Sequence, residues 1–163
     1  MIGKGRSDIR RKDFYSMAAL AAEVAMATHQ EIEESSHDFL DFEKLVQIGA
    51  AGEPVLPVAV QDAESLEMLL IAYVNREALR LSLSEGRAVF YSTSRRELWR
   101  KGETSGDMLE LAEIRVNCEQ NSLLFLVRKT KPGVCHTKDA SGQTRPTCYY
   151  RKMTVEGILE MLN

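Results

Sequence analysis

Long apolar runs are missing from this chain. The longest nearly apolar stretch, Met17 to Thr28, is dominated by alanine, contains Glu23 and is too short to cross a bilayer, so neither a span nor a membrane partner is expected. Nor is a secretory leader expected. Lys4, Arg6, Arg10, Arg11 and Lys12 cluster at the start, but Asp8 lies among them and no apolar core with a cleavage site follows, which makes a cytoplasmic location the expectation. Nor is there an excess of either charge: 21 basic side chains face 24 acidic ones, and the net −3 sets up no long-range field for nucleic acid. Any anionic ligand must be held by a local cluster. Cysteine is scarce. Three thiols cannot all pair within one chain, and a reducing cytosol disfavours disulfides, which leaves metal binding, catalysis or inert burial. Internal repeats and low-complexity tracts are absent as well.

What is present suffices for one domain with a proper core, since 44% of the 163 residues are hydrophobic. Asp13 can cap a helix over 13–36, whose Phe14, Met17, Leu20, Ala21, Val24 and Ala25 share a face. This reads as an N-terminal helical extension, residues 1–37, and the Gly and Pro punctuation that follows starts the main domain, residues 38–163, near Asp38. VLPVAVQD and EMLLIAYV flank an acidic turn and predict a hairpin. Asn75 opens a short helix closed by Gly86, AVFYS is a third strand, and Ser94 with Glu97 forms a capping box for a turn through Leu98 and Trp99. LELAEIRV and SLLFLVRK are strands joined by NCEQN. A strand at CYYRKM and a helix from Val155 to Leu162 finish the chain. Many strands, few helices and no regular βα alternation predict a strand-rich α+β domain.

All three cysteines fall at predicted strand ends. Cys118 sits between two strands, Cys135 opens a flexible loop and Cys148 closes it. Their spacings of 17 and 13 match no short zinc-finger pattern, so metal ligation and burial both remain open. Three protein ligands, rather than four, is the usual count for a catalytic zinc, whose fourth position holds water. His136, beside Cys135, could serve as a general base near such a water, or be a surface residue. A Cys135–His136 nucleophilic pair is awkward, because neighbouring side chains on an extended chain point apart. His29 and His37 read as exposed. In SRRELWRKGETSG, residues 94–106, Arg95, Arg96, Arg100 and Lys101 supply positive charge. Thr104, Ser105 and Gly106 add hydroxyls and close backbone approach suited to phosphate oxygens. The competing readings are a solvated turn, and for Trp99 a core anchor.

Taken together, LWRKGETSG, EIRVNC followed by SLLFLV, VCHT and CYYR resemble the phosphoribosyl-AMP cyclohydrolase family of histidine biosynthesis. LDFEKL, PVAVQD, LIAYVNREAL and FYSTSR fit the same family in order, and the resemblance runs from Phe39 to Arg151. It implies an intertwined homodimer with composite active sites, in which Cys118, Cys135 and Cys148, drawn from both subunits, hold zinc. The implied reaction is hydrolytic opening of the adenine ring of N1-phosphoribosyl-AMP between nitrogen 1 and carbon 6, with His136 moving the proton. Arg95, Arg96, Trp99, Lys101, Thr104, Ser105, Gly106, Arg145 and Arg151 are the substrate-binding candidates. The family usually carries Asp-Cys-Asp-x-Asp around the first cysteine, with the aspartates assigned to magnesium. Here Asn117, Glu119 and Asn121 stand in those places, and two amides in place of carboxylates lower the expected affinity for Mg2+. Asp107 stands where the family usually has Asn. These departures imply two alternatives: a paralogue hydrolysing a different purine-like nucleotide, or a non-catalytic zinc-stapled dimeric binding module.

Overall fold

Alternation of apolar and polar residues builds the central sheet. In β1 (Leu56–Asp62) Val58 and Val60 are buried while Pro57 faces out. In β2 (Met68–Val74) Leu70, Ala72 and Val74 are buried and Ile71 is exposed. The structure is a computed structural model that describes residues 27–42, 44–103 and 106–162. β1 and β2 form the expected antiparallel hairpin, and β5 (Leu109–Val116) and β6 (Leu123–Lys129) form a second one. The two hairpins join through a parallel pairing of β1 with β6, giving the order β2-β1-β6-β5. α1 (His29–Glu34), α2 (Lys44–Ala50) and α3 (Arg76–Glu85) complete the α+β architecture with two small hairpins, β3 (Val89–Ser92) with β4 (Glu97–Arg100) and β7 (Arg151–Met153) with β8 (Leu159–Met161).

α3 starts and stops where its sequence says. The Asn75 side chain accepts the Ala78 N–H at 2.8 Å, and Gly86 closes the helix in the left-handed region at φ 65°. Ser82, fully buried, ties α3 to β3: its Oγ accepts the Val89 N–H at 3.0 Å and lies 2.9 Å from the Ala78 carbonyl. The core centres on Phe90 and Phe125, whose rings stack at 6.1 Å. Full burial of each such side chain stabilises the fold by about 1.5–3 kcal/mol.

Three expectations are corrected. The segment Val155–Leu162 is not a helix: Thr154 and Gly157 (φ 83°) make a turn, the Thr154 N–H donates to the Ile158 carbonyl, and β8 returns along β7. Its apolar spacing fits a helix equally well, but strand pairing decides. The Ser94–Glu97 capping box is not formed either. The Arg96 N–H reaches the Ser92 carbonyl at 2.7 Å, and Leu98 and Trp99 belong to β4, paired with Tyr91 and Phe90. Finally, the expected helix over 13–36 is interrupted. Thr28 is extended (φ −72°, ψ 158°) and starts α1 afresh through a capping box with Glu31, and α1 ends at Glu34. Residues 13–26 of that expectation lie outside the described residues. No helix among the described residues is long and apolar enough to cross a membrane.

Candidate active site around the Cys135–Cys148 pair

The loop after β6 is pinned to the body of the domain at several points. The Thr130 N–H donates to the Met108 carbonyl, and the Val134 and Cys135 N–H groups both donate to the Arg145 carbonyl, at 2.9 and 3.0 Å. Gly133 is where the two arms of the loop cross: a Cβ there would lie 2.4 Å from Thr144 Cβ. On the return arm, the Thr147 hydroxyl donates to the Met68 carbonyl at 2.6 Å and the Cys148 N–H to the Leu69 carbonyl at 2.8 Å. Both arms therefore end at the edge where β1 and β6 finish and β2 begins, which brings the Cys135 and Cys148 thiols near enough to shift each other's ionisation.

That proximity polarises the pair. The hydrogen bond from Cys148, supported by those from Thr137, outweighs burial and takes the Cys135 thiol from an ordinary 9.0 down to about 5. The same bond, with burial, pushes Cys148 up. Of the two, Cys135 is the one driven toward the thiolate and Cys148 the one driven toward the thiol. Thr137 Oγ1 lies 3.1 Å from Cys135 Sγ. Because the folded value is depressed, ionisation of Cys135 stabilises the fold fully above about pH 9, and that contribution is lost as pH falls through about 5. In metal-free protein, ultraviolet thiolate absorbance is expected to show one ionised thiol persisting below pH 6. A midpoint above 8 for both Cys135 and Cys148 would contradict the pairing.

Lys101 completes the cluster. Burial lowers its ammonium pKa, while Asp107, Cys148 and Cys135 pull it back up. It lines a cavity of 390 Å³ with Arg87, Arg100, Gly102 and Gly106. Gly102 (φ 84°) lets the loop double back, since a Cβ there would meet the Asp107 carbonyl carbon at 2.4 Å. Thr104 and Ser105 lie outside the described residues.

The remaining sequence candidates are dispersed. Arg95 pairs with Glu97 at 3.3 Å, and Arg96 occupies the β3–β4 turn at φ 56°, four strand residues or about 13 Å from Arg100. The Trp99 ring packs 5.5 Å from Phe90, against the core. Arg145 is buried, donates to both Glu34 carboxylate oxygens at 2.9 and 3.2 Å and to Thr137 Oγ1 at 2.9 Å, and lies 4.1 Å over the Tyr150 ring. Arg151 donates to the Ile32 and Ser35 carbonyls. His136 is exposed, with Nε2 2.9 Å from Glu33 Oε1, and His29 and His37 are exposed too. Sequence reasoning did not single out Thr137, Glu33 or Glu34. Thr137 sits two residues after Cys135, where a side chain can return to the same thiol, but nothing local marks the two glutamates.

Cys118 is exposed in the β5–β6 turn. That turn lies at the far end of β6, a seven-residue strand and so about 20 Å from the thiol pair. The turn is closed on itself: Asn117 Oδ1 accepts the Asn121 and Ser122 N–H groups, Asn117 Nδ2 donates to Asn121 Oδ1, and Asn121 Nδ2 donates to Glu119 Oε2. Among the described residues, no group of three or more His, Cys, Asp or Glu is arranged to hold a metal ion.

The family model for phosphoribosyl-AMP cyclohydrolase matches residues 70–150, and so spans α3, the cavity loop and all three cysteines. Phosphoribosyl-AMP cyclohydrolase of Methanocella arvoryzae is 48% identical over 103 residues, 63% of this chain and 79% of its own length. The chain belongs to the phosphoribosyl-AMP cyclohydrolase family. The cyclohydrolase of Chlorobium chlorochromatii is 39% identical over 128 residues, covering 78% of this chain and 85% of its own. The histidine biosynthesis bifunctional protein of Aquifex aeolicus is 36% identical over 99 residues, 61% of this chain and 45% of that longer one. As a member of this enzyme family the chain is a hydrolase, and the thiol pair and the cavity at Lys101, which Glu85 and Glu103 line together with Arg87 and Arg100, both fall within the matched span.

Proposed function

We propose that this chain hydrolyses N1-phosphoribosyl-AMP in histidine biosynthesis, opening the adenine ring between nitrogen 1 and carbon 6, as a zinc-dependent homodimer. The observation that carries the metal reading is the separation of the thiols. Cys135 and Cys148 lie together, one of them ionised, which is the soft donor chemistry zinc takes. Cys118 is a strand's length away and meets that pair only if a second copy supplies it. Exposed Leu40, Phe42, Leu45 and Val46, with no residue of α2 buried, give such a copy an apolar surface to cover.

Zinc, when bound, supplies Lewis acidity that makes water a nucleophile near neutral pH. The protein's own groups do the rest. Cys135 presents a thiolate already formed, so ligation costs little deprotonation. Lys101, with Arg87 in the same cavity, offers cationic donors for the substrate's phosphate, while Arg100 there is paired with Glu85 at 3.0 Å. His136 accepts the proton that the attacking water gives up. Magnesium fits poorly. The amide oxygens of Asn117 and Asn121 are occupied within their own turn, and Glu119 brings one formal charge, which is also engaged. Calorimetry at neutral pH is expected to show no stoichiometric magnesium binding; a tight one-to-one isotherm would overturn this.

Turnover of phosphoribosyl-AMP, followed by the ultraviolet change on ring opening, tests the substrate. The changed run at 117–121 favours one other reading, a relative that hydrolyses a different purine-like nucleotide, and turnover only within a panel of such nucleotides would select it. Subunit mixing tests the shared site. Cys118→Ser and Cys135→Ser variants are each inactive alone, but their mixed dimer contains one site with all three cysteines. Random reassociation makes half the dimers mixed, so about a quarter of wild-type activity is expected to return. No recovery, with mixed dimers demonstrated, would reject the composite site.

A further inference from the structure

The exposed imidazole of His136 meets a fixed carboxylate from outside the family-matched span. The His136 side chain is 78% exposed and so has little packing to hold it, whereas that of Glu33 is 27% exposed. The backbone around Glu33 is tied down. The Tyr150 hydroxyl donates to the Glu33 carbonyl at 3.0 Å, Arg151 donates to the Ile32 and Ser35 carbonyls at 2.8 and 3.2 Å, and the Leu159 N–H donates to the Ser36 carbonyl at 2.9 Å. Next to it, Glu34 holds buried Arg145 with both carboxylate oxygens, and Arg145 reaches Thr137, which in turn touches Cys135. The segment 28–36 is therefore braced against the thiol loop at both its backbone and its side chains. From that brace Glu33 Oε1 reaches His136 Nε2 at 2.9 Å.

We propose that Glu33 is a positioning residue for His136, selecting its rotamer and leaving Nδ1 as the atom that accepts the proton. A carboxylate accepts hydrogen bonds and does not donate them, so the ring nitrogen facing it carries the hydrogen and the neutral ring keeps its lone pair on Nδ1. That lone pair takes the proton from the attacking water, the O–H bonding electrons form the bond from oxygen to carbon 6, and the carbon–nitrogen π pair at carbon 6 is displaced onto nitrogen. Holding the ring in one orientation removes a rotational search from each turnover. The inference rests on the reading of His136 as the base. It adds a residue that lies before residue 70, where the family match begins.

The test is a cycle of Glu33→Ala, Glu33→Gln, His136→Ala and the double variant Glu33→Ala/His136→Ala, in full-length zinc-loaded protein. Glu33→Ala is expected to lower kcat by about 10-fold with KM unchanged, by analogy with the 10–100-fold effects of groups that orient a site histidine. Glu33→Gln, whose amide oxygen can still accept from Nε2–H, is expected to recover most of that loss and guards against misfolding of the alanine variant. The double variant is expected to be no slower than His136→Ala. Losses that multiply in the double variant would overturn the proposal, because Glu33 would then act elsewhere. Normal kcat in Glu33→Ala beside a slow His136→Ala would overturn it while leaving the base in place, whereas normal turnover in His136→Ala would remove the base itself. Independently of any activity, three-bond couplings across the His136 Cα–Cβ bond are expected to report one rotamer in the wild type and averaging in Glu33→Ala. Averaging in both would also overturn the proposal.

Discussion

Cys135→Ser is expected to lose bound zinc and turnover together while the domain stays folded. The substitution is nearly isosteric, and the loop's crossing depends on the Val134 and Cys135 backbone N–H groups bonded to Arg145, which serine retains. What disappears is the thiolate. Cys148 and Thr137 hold the sulfur at about 5, so it is ionised at neutral pH, whereas a serine hydroxyl in the same place stays protonated and presents a harder oxygen. Removing groups that merely orient a metal ligand costs ~10–100-fold, so loss of a ligand should exceed about 100-fold in kcat/KM. The zinc-to-chain ratio by elemental analysis should fall, and solution mass should shift toward monomer as the shared staple goes. Unchanged metal content would remove Cys135 from the ligand set.

His136→Ala should separate chemistry from assembly. The side chain is largely exposed, so its removal gives up little buried area and should change stability by less than about 0.5 kcal/mol. Segment 28–36 remains docked through Arg145, Tyr150 and Arg151. Zinc content and solution mass should therefore match the wild type, while kcat falls by about 10²–10⁴-fold, the usual contribution of a general base. Wild-type turnover would move that role to another group.

Much of the fold was legible because its signals are local. The two long hairpins announce themselves through alternation and turn residues, and α3 through Asn75 and Gly86. The parallel pairing of β1 with β6 has no local sign, since it joins segments separated by everything from β2 to β5. The last helix was misread because Val155, Ile158, Leu159 and Leu162 satisfy a helical period, and only the neighbouring β7 turns the segment into a strand. The site divides the same way. The sequence marks Cys135 and Cys148 as the two ends of a loop, and only the pinning of both arms to the sheet brings those ends together. The approach of Glu33 to His136 and of Glu34 to Arg145 bridges 103 and 111 positions of chain, and residue identity alone carries no record of it.

That central parallel pairing also orders events during synthesis. Val58 aligns with Leu123, and Asp62 with Val127, so the first hairpin waits for most of the polypeptide to emerge before its middle strand gains a second neighbour. Closure over such a span is slow compared with hairpin formation, and Cys148 hooks onto Leu69 later still. The sulfur cluster is thus among the last features to assemble, and a nascent chain offers passing ions nothing chelating until the sheet behind it is complete.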